Sequence, residues 1–273
     1  VQRYATLEDL ERHRTTIEER EEYEPHLEAG RVLYAGVDYE AILREADVIV
    51  WDGGNNDFPF YRPDLFVVVA DPLRPGHEQR FHPGETNVRM AHVVVINKVD
   101  SVDDATLRDE LASIRSLNPN AQIVTARSTL RLEGGEVRGR RVVVVEDGPT
   151  LTHGGMTFGA GIAAARRFGA ADIVDPRPFA VGSIRDVLAK YPSLDRLVPA
   201  MGYGEEQMAE LAETLNATDA DLVLAGTPID LTRVLRLDKP VVRVRYDLQE
   251  VGGPPLRDLL APALAGATPR VPA

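Results

Sequence analysis

A chain of 273 residues with 44% hydrophobic and 27% charged side chains is long enough for one large or two modest α/β cores. Its formal net charge of −12, from 31 Lys and Arg against 43 Asp and Glu, argues against a duplex-binding surface, which needs a basic face to displace counterions. With 0 Cys it has no disulfide, thiolate metal site or thiol nucleophile, and no apolar run approaches the ~20 residues of a membrane span. A cytoplasmic protein without nucleic-acid or membrane partners is expected. The basic residues are nearly all Arg, with Lys only at Lys98, Lys190 and Lys239. The chain opens on Val1 inside what reads as a continuing element, the pattern of a truncated chain.

In chain order, Thr6–Glu24 reads as a polar helix closed by Pro25. Arg31–Val37 reads as a strand and Tyr39–Ala46 as a helix. Three apolar runs follow: Val48–Trp51 before Asp52-Gly53-Gly54, Leu65–Ala70 before Asp71-Pro72, and Val93–Ile96 before Asn97-Lys98-Val99-Asp100. A Pro-, Gly- and His-rich loop, Arg74–Gly84, separates the last two. Asp103–Leu117 is a helix with Asp103 as N-cap, and Gln122–Ala126 is a strand. Gly134–Gly139 reads as a hairpin or linker and sets a boundary between residues 1–138 and 139–273. Beyond it come strands at Arg141–Val145, Asp172–Val174, Leu222–Ala225 and Pro240–Val244. Helices are expected at Gly159–Phe168, Ile184–Lys190, Glu206–Leu215 and Leu231–Leu235, and a fraying tail from Gly252.

Continuous rather than alternating apolar runs mark parallel strands buried on both faces. The fold class expected is α/β: a parallel, doubly wound, P-loop NTPase-like sheet in 1–138, followed by a smaller C-terminal α/β domain.

Chemistry concentrates at the ends of the apolar runs. Asn97-Lys98-Val99-Asp100 after a buried strand is a guanine-reading arrangement. The Asp100 carboxylate can accept both donors of the guanine edge, the Lys98 stem can lie over the ring, and Asn97 can brace the loop. The bland reading is a strand-to-helix loop. Asp52, with Gly53 and Gly54, could hold a Mg2+ water shell near a γ-phosphate, although Asn55 stands where a GTPase usually carries Gly. Ser128, in Thr125-Ala126-Arg127-Ser128, sits where a last base-contacting loop would lie. No G-x-x-x-x-G-K-[ST] occurs, so the phosphates lack their nest of backbone N–H groups. Gly159-Ala160-Gly161 imitates a dinucleotide fingerprint but follows no apolar strand, and reads as a small-residue helix packed on a sheet. The Glu18–Glu22 run reads as a solvated helix face.

Longer stretches carry a more specific signal: Thr16 through His26, Tyr34 through Glu40, Trp51 through Tyr61, Glu146 through Met156, Pro199 through Gly204, and Gly226 through Leu231. In these the chain resembles the cyclic 2,3-diphosphoglycerate synthetases and their GTPase relatives. The resemblance implies a phosphate loop upstream of Val1, ATP or GTP with Mg2+ as cofactors, and a small phosphorylated metabolite as partner. It implies closure of an intramolecular phosphoanhydride in 2,3-diphosphoglycerate. For that reaction Asp52 and Asp71 could serve the metal. Arg74, His77, Arg80 and His82 could grip substrate phosphates, and His153, ahead of the N-terminus of the 159–168 helix, which suits an anion, could bind a phosphate or be phosphorylated. The alternatives are a GTPase acting on another phosphorylated metabolite, a GTP-switched binding protein, and a chain inert without its phosphate loop. A homo-oligomer is left open.

Overall fold

The computed structural model describes residues 2–36, 42, 45–54, 57–59, 61–148, 157–194, 196–200 and 204–265. Two compact units form, one from 1–37 and 130–246, the other from 38–129 and 247–273. Each is assembled from two separated stretches, where the sequence alone suggested a single cut near Gly134–Gly139.

The first unit opens with β1 (Gln2–Tyr4) paired antiparallel to β2 (Leu33–Ala35). The single helix expected between them is two, α1 (Leu7–Arg12) and α2 (Ile17–Glu28). Two capping boxes explain the split: Asp9 accepts from the Thr6 N–H at 3.0 Å and Glu19 from the Thr16 N–H at 2.8 Å, so a helix restarts at each. Pro25 does not close α2, which runs on to Glu28 before Gly30 turns the chain at φ 73°.

In the second unit, the expected strand at 48–51 is absent. Val50 is 82% exposed there and the stretch joins no ladder, because runs of β-branched residues extend only where a neighbouring strand takes up their N–H and C=O groups. The sheet is built by β3 (Val67–Ala70), β4 (Val93–Ile96) and the first part of β5 (Gln122–Glu133), all parallel, with Ala70 beside Ile96 and Ile96 beside Thr125. The 74–84 loop leads into α3 (Gly84–Met90), which the sequence did not announce. The helix α4 (Asp104–Leu117) starts as expected, Asp103 accepting from the Thr106 N–H at 2.8 Å. Val88 of α3 and Ile114 of α4 pack with Val94, Ile96 and Ile123 on one face of the sheet.

Asn118, buried past the end of α4, ties this layer together. Its Nδ2 donates to the carbonyls of Val88 and Ala91 at 2.8 Å, and its Oδ1 accepts from Ala121 N–H at 3.1 Å. Asn118→Ala orphans these groups at a cost of about 2 kcal/mol, and thermal unfolding should show a Tm lower by ~5 °C.

Back in the first unit, β6 (Arg141–Asp147) is the central strand. The helix α5 (Ala160–Arg167) packs on it, and Gly161 makes this close: a Cβ there would meet Val144 Cγ1 at 2.6 Å. The small-residue reading of this helix therefore stands. Along one edge of β6 lie β7 (Asp172–Ile173) and then β8 (Val198–Ala200), which the sequence reading missed. The helices α6 (Gly182–Lys190) and α7 (Glu205–Ala217) connect the strands; β9 (Leu222–Gly226) pairs parallel with the other edge of β6, and α8 (Leu231–Val234) follows. The strand β10 (Val241–Gly252) starts parallel to β9 and is far longer than expected. The fold is thus mixed α/β with mostly parallel strands; a P-loop NTPase identity does not follow from it.

In the second unit, Arg127 reaches Gln249 and Thr129 reaches Asp247, so β5 and the end of β10 run in opposite directions. The tail does not fray at Gly252. Gly253, at φ 89°, turns the chain into α9 (Leu256–Ala265), whose Leu256 and Leu259 join Val93, Val95 and Val124 on the other face of the sheet. No helix among the described residues is long and apolar enough to cross a membrane.

Candidate functional site

Parallel strands bring their carboxyl ends to one edge, where backbone groups leave the ladder and side chains of successive loops meet. In the second unit this edge gathers five of the residues singled out by sequence. Asp71 follows β3, and its Oδ2 lies 2.6 Å from Lys98 Nζ. Its Oδ1 accepts from the Leu73 N–H at 3.1 Å, and Arg74 Nε lies 3.9 Å from Oδ2. Asn97 follows β4; its Oδ1 accepts from the Lys98 N–H at 2.8 Å and its Nδ2 donates to Ser128 Oγ at 3.2 Å. Asn97 thus braces the loop as expected. It does so against a residue inside β5, not in a loop, since that strand continues to Glu133.

Lys98 is held at φ 57°, a left-handed conformation uncommon for a side-chain-bearing residue, and opens a single 3₁₀ turn over Val99–Ser101. Asp100 is exposed on that turn. The Lys98 ammonium turns back to Asp71 instead of lying out over a purine seat.

The remaining candidates are not gathered here. His77, Arg80 and His82 are exposed. The His77 ring packs edge-on to Phe81 at 4.7 Å, and His82 edge-on to Phe58 at 5.7 Å. Arg74 alone of that loop turns to the strand edge. Asp52 is exposed in an irregular stretch, not at a strand terminus, because the run before it forms no strand. His153 lies outside the described residues, as do Asn55 and most of 37–44.

For Mg2+ the fit is poor. Asp71 is already compensated by Lys98, and among the described residues no group of three His, Asp or Glu converges on a cation.

In the first unit the carboxyl edge carries the described parts of three of the long sequence stretches, at Glu146–Gly148, Pro199–Ala200 and Gly226–Asp230. Glu146, at the end of β6 and 1% exposed, accepts from the N–H groups of Gly159 at 3.0 Å, Gly161 at 3.0 Å and Ile162 at 2.8 Å. The N-terminus of α5, expected to suit an outside anion, is filled by the chain's own carboxylate. Burial pushes Glu146 up to about 7, against the pull of those donors, and the Asp147 charge adds to the rise.

Beside it the Gly226–Asp230 turn meets α2. Thr227 Oγ1 donates to Glu21 Oε1 at 2.5 Å, and the Asp230 N–H to Glu24 Oε2 at 3.3 Å. Arg243 donates to the Pro228 carbonyl at 2.9 Å and pairs with Asp230 at 3.4 Å. Arg20 and Glu21 are buried, as is Glu24 just beyond the run, so the reading of Glu18–Glu22 as a solvated face is corrected for these two; Tyr23 and Leu27 of the same helix pack with Tyr4 and Leu10, and its acids meet the Thr227 turn through hydrogen bonds and charge pairs.

Two buried acids escaped sequence reasoning, Glu78 and Glu110. The signal was present for Glu110, which sits with Leu107, Leu111 and Ile114 on the inward stripe of α4.

Comparison with known proteins adds a decisive observation. The chain is 58% identical over 265 residues, 95% of its length, to a protein named arginine synthetase ArcE in Thermococcus kodakarensis. The chain is similar to a named synthetase. It spans 59% of that protein's length. A protein named cyclic 2,3-diphosphoglycerate synthetase in Pyrococcus furiosus is 30% identical over 97 residues, 36% of this chain and 22% of that one. No family model matches the chain. The expectation of diphosphoglycerate cyclisation is therefore corrected: the chain matches a synthetase of another name at 58% over 265 residues, against 30% over 97 for the cyclic 2,3-diphosphoglycerate synthetase.

Proposed function

We propose that this chain is part of a synthetase that forms arginine at the expense of a nucleoside triphosphate. The 58% identity across nearly the whole chain to arginine synthetase ArcE carries the reading. The braced loop at the end of β4 supports the nucleotide half of it. Asn97 fixes the turn through Ser128, Lys98 is stored on Asp71, and Asp100 is left open to solvent where a base edge can reach it. The sequence carries no G-x-x-x-x-G-K-[ST] loop, so the nucleotide half of the reading rests on the β4 loop alone.

Synthetase chemistry is reversible in principle, and this allows a test that starts from the product. The full protein, given arginine with nucleoside diphosphate and inorganic phosphate, should consume arginine and release nucleoside triphosphate. Arginine left untouched under all nucleotide combinations would overturn the reading. Calorimetry on Asp100→Ala decides the base. A loss of about five- to 150-fold in GTP affinity, with ATP unchanged, assigns guanine recognition to this loop, as ~1–3 kcal/mol for an orphaned donor pair requires. Equal retention of both makes the loop structural.

A further inference from the structure

At the strand ends of the second unit one carboxylate has two cations within reach and bonds one of them. Asp71 is fixed by its own turn. Its Oδ1 accepts from the Leu73 N–H at 3.1 Å, and the Arg74 N–H donates to the Asp71 carbonyl at 2.9 Å. Oδ2 is taken by Lys98 Nζ at 2.6 Å. Arg74 Nε stands 3.9 Å from the same oxygen, too far for a hydrogen bond. That nitrogen is buried and donates to nothing. A guanidinium N–H shut off from water without an acceptor is costly, and the carboxylate oxygen within reach is the one Lys98 holds. A shift of about 1 Å would complete the bond.

The two cations differ in freedom. Arg74 is three residues from Asp71 in a single turn, and the backbone bond across that turn keeps it near the carboxylate. Lys98 arrives from the next strand end. Its N–H is held by Asn97, which is itself held by Ser128, but its ammonium rides on a flexible four-carbon stem and the side chain is 36% exposed. Lys98 can leave, whereas Arg74 cannot go far.

We propose that Asp71 is an exchange seat: Lys98 holds it at rest, and Arg74 takes it over when Lys98 is drawn to a ligand at the Asn97–Asp100 loop. Arg74 is then a positioning residue that sets how readily Lys98 is released. Without it, release strands the Asp71 carboxylate without the cation that neutralised it. With it, the carboxylate stays paired and Arg74 gains the bond it lacks, so the released state is favoured. The proposal rests on the nucleotide reading only for what draws Lys98 away; the exchange itself belongs to three side chains.

Proton–nitrogen NMR of the guanidinium groups reads the exchange directly. The Arg74 Nε–H signal is assigned by its loss in Arg74→Gln. Lys98→Met vacates Oδ2 with an uncharged side chain of similar length, and the Arg74 signal should then move downfield, as an N–H does on gaining a carboxylate acceptor. An unmoved signal overturns the proposal whether or not any nucleotide binds. GTP added to the parent should move the same signal in the same direction. GTP that binds by calorimetry and leaves the signal in place overturns it too. If neither GTP nor ATP binds, the nucleotide reading fails by itself, and the Lys98→Met spectrum still decides the exchange.

The competition is read in the free chain by amine acylation and mass spectrometry, with Lys190 as the internal reference. An ammonium held on a carboxylate is shielded from the reagent. With Arg74 gone, Lys98 has Oδ2 to itself. The Lys98-to-Lys190 ratio should therefore fall about twofold in Arg74→Gln and rise about threefold in Asp71→Asn, the small factors proper to a partly exposed pair. Arg74→Lys keeps a cation in the turn and should hold the parent ratio. A purely structural Arg74 predicts the opposite sign, because a loosened turn frees Lys98. A ratio that rises or stays level in Arg74→Gln would overturn the proposal.

Discussion

Glu146→Ala should lower the Tm by roughly 10 °C or more, the largest effect expected of a single side chain in this protein. The carboxylate accepts three backbone N–H groups at the start of α5, and it is 1% exposed. Truncation leaves those donors buried without acceptors, each at about 1–3 kcal/mol, with a cavity beside Val144. The total is at least about 3 kcal/mol, and each kcal/mol corresponds to about 2–4 °C for a chain of this size. Thermal melts followed by circular dichroism at pH 5 and pH 8 check it. At pH 8 the parent has already lost part of Glu146's contribution, because a carboxyl raised to about 7 stabilises fully only below the ordinary Glu value and loses its effect as pH climbs to neutrality. The deficit of the variant should therefore be larger at pH 5 than at pH 8. A uniform deficit would mean that Glu146 is ionised throughout.

Gly226→Ala attacks the same spot from the neighbouring strand. A Cβ at 226 would lie 2.5 Å from Glu146 Oε2, 2.5 Å from Gly161 N and 2.8 Å from Gly161 Cα. None of these can move freely: the carboxylate is locked by its three donors, and the other two atoms are backbone. Relief requires β9 and α5 to part, an overpacking cost of about 2–3 kcal/mol or a Tm lower by ~8 °C. Gly204→Ala, whose Cβ would meet nothing within 4 Å, is the control and should stay within ~2 °C of the parent. If Gly226→Ala is as mild as the control, the close approach of α5 to the strand ends is not real.

Much of the local architecture was legible. Val93–Ile96 and Arg141–Val145 read as buried parallel strands because they are unbroken apolar runs, and both are central in their sheets. Asp103 and its helix followed from a capping residue ahead of an amphipathic stripe. The Asn97–Lys98 loop was placed after such a strand, but that Asn97 braces it on Ser128, inside the next strand, appears only in the structure. The same rule misled at Val48–Trp51, where an apolar run without a partner strand remains irregular, and with it Asp52 lost its expected strand end. Local pattern carries no information about which neighbour is available.

What the sequence determined by itself is therefore short-range: the cap at Asp103, the periodicities and the glycines that permit a turn. Only the tertiary structure decided that Asp71 is spent on Lys98, that the charged face of α2 is buried against the Thr227 turn, and that Glu146 occupies the helix end an external anion was expected to take. Each of these joins residues separated along the chain. The free energy of a charge depends on what surrounds it in space, and no window along the sequence contains those surroundings.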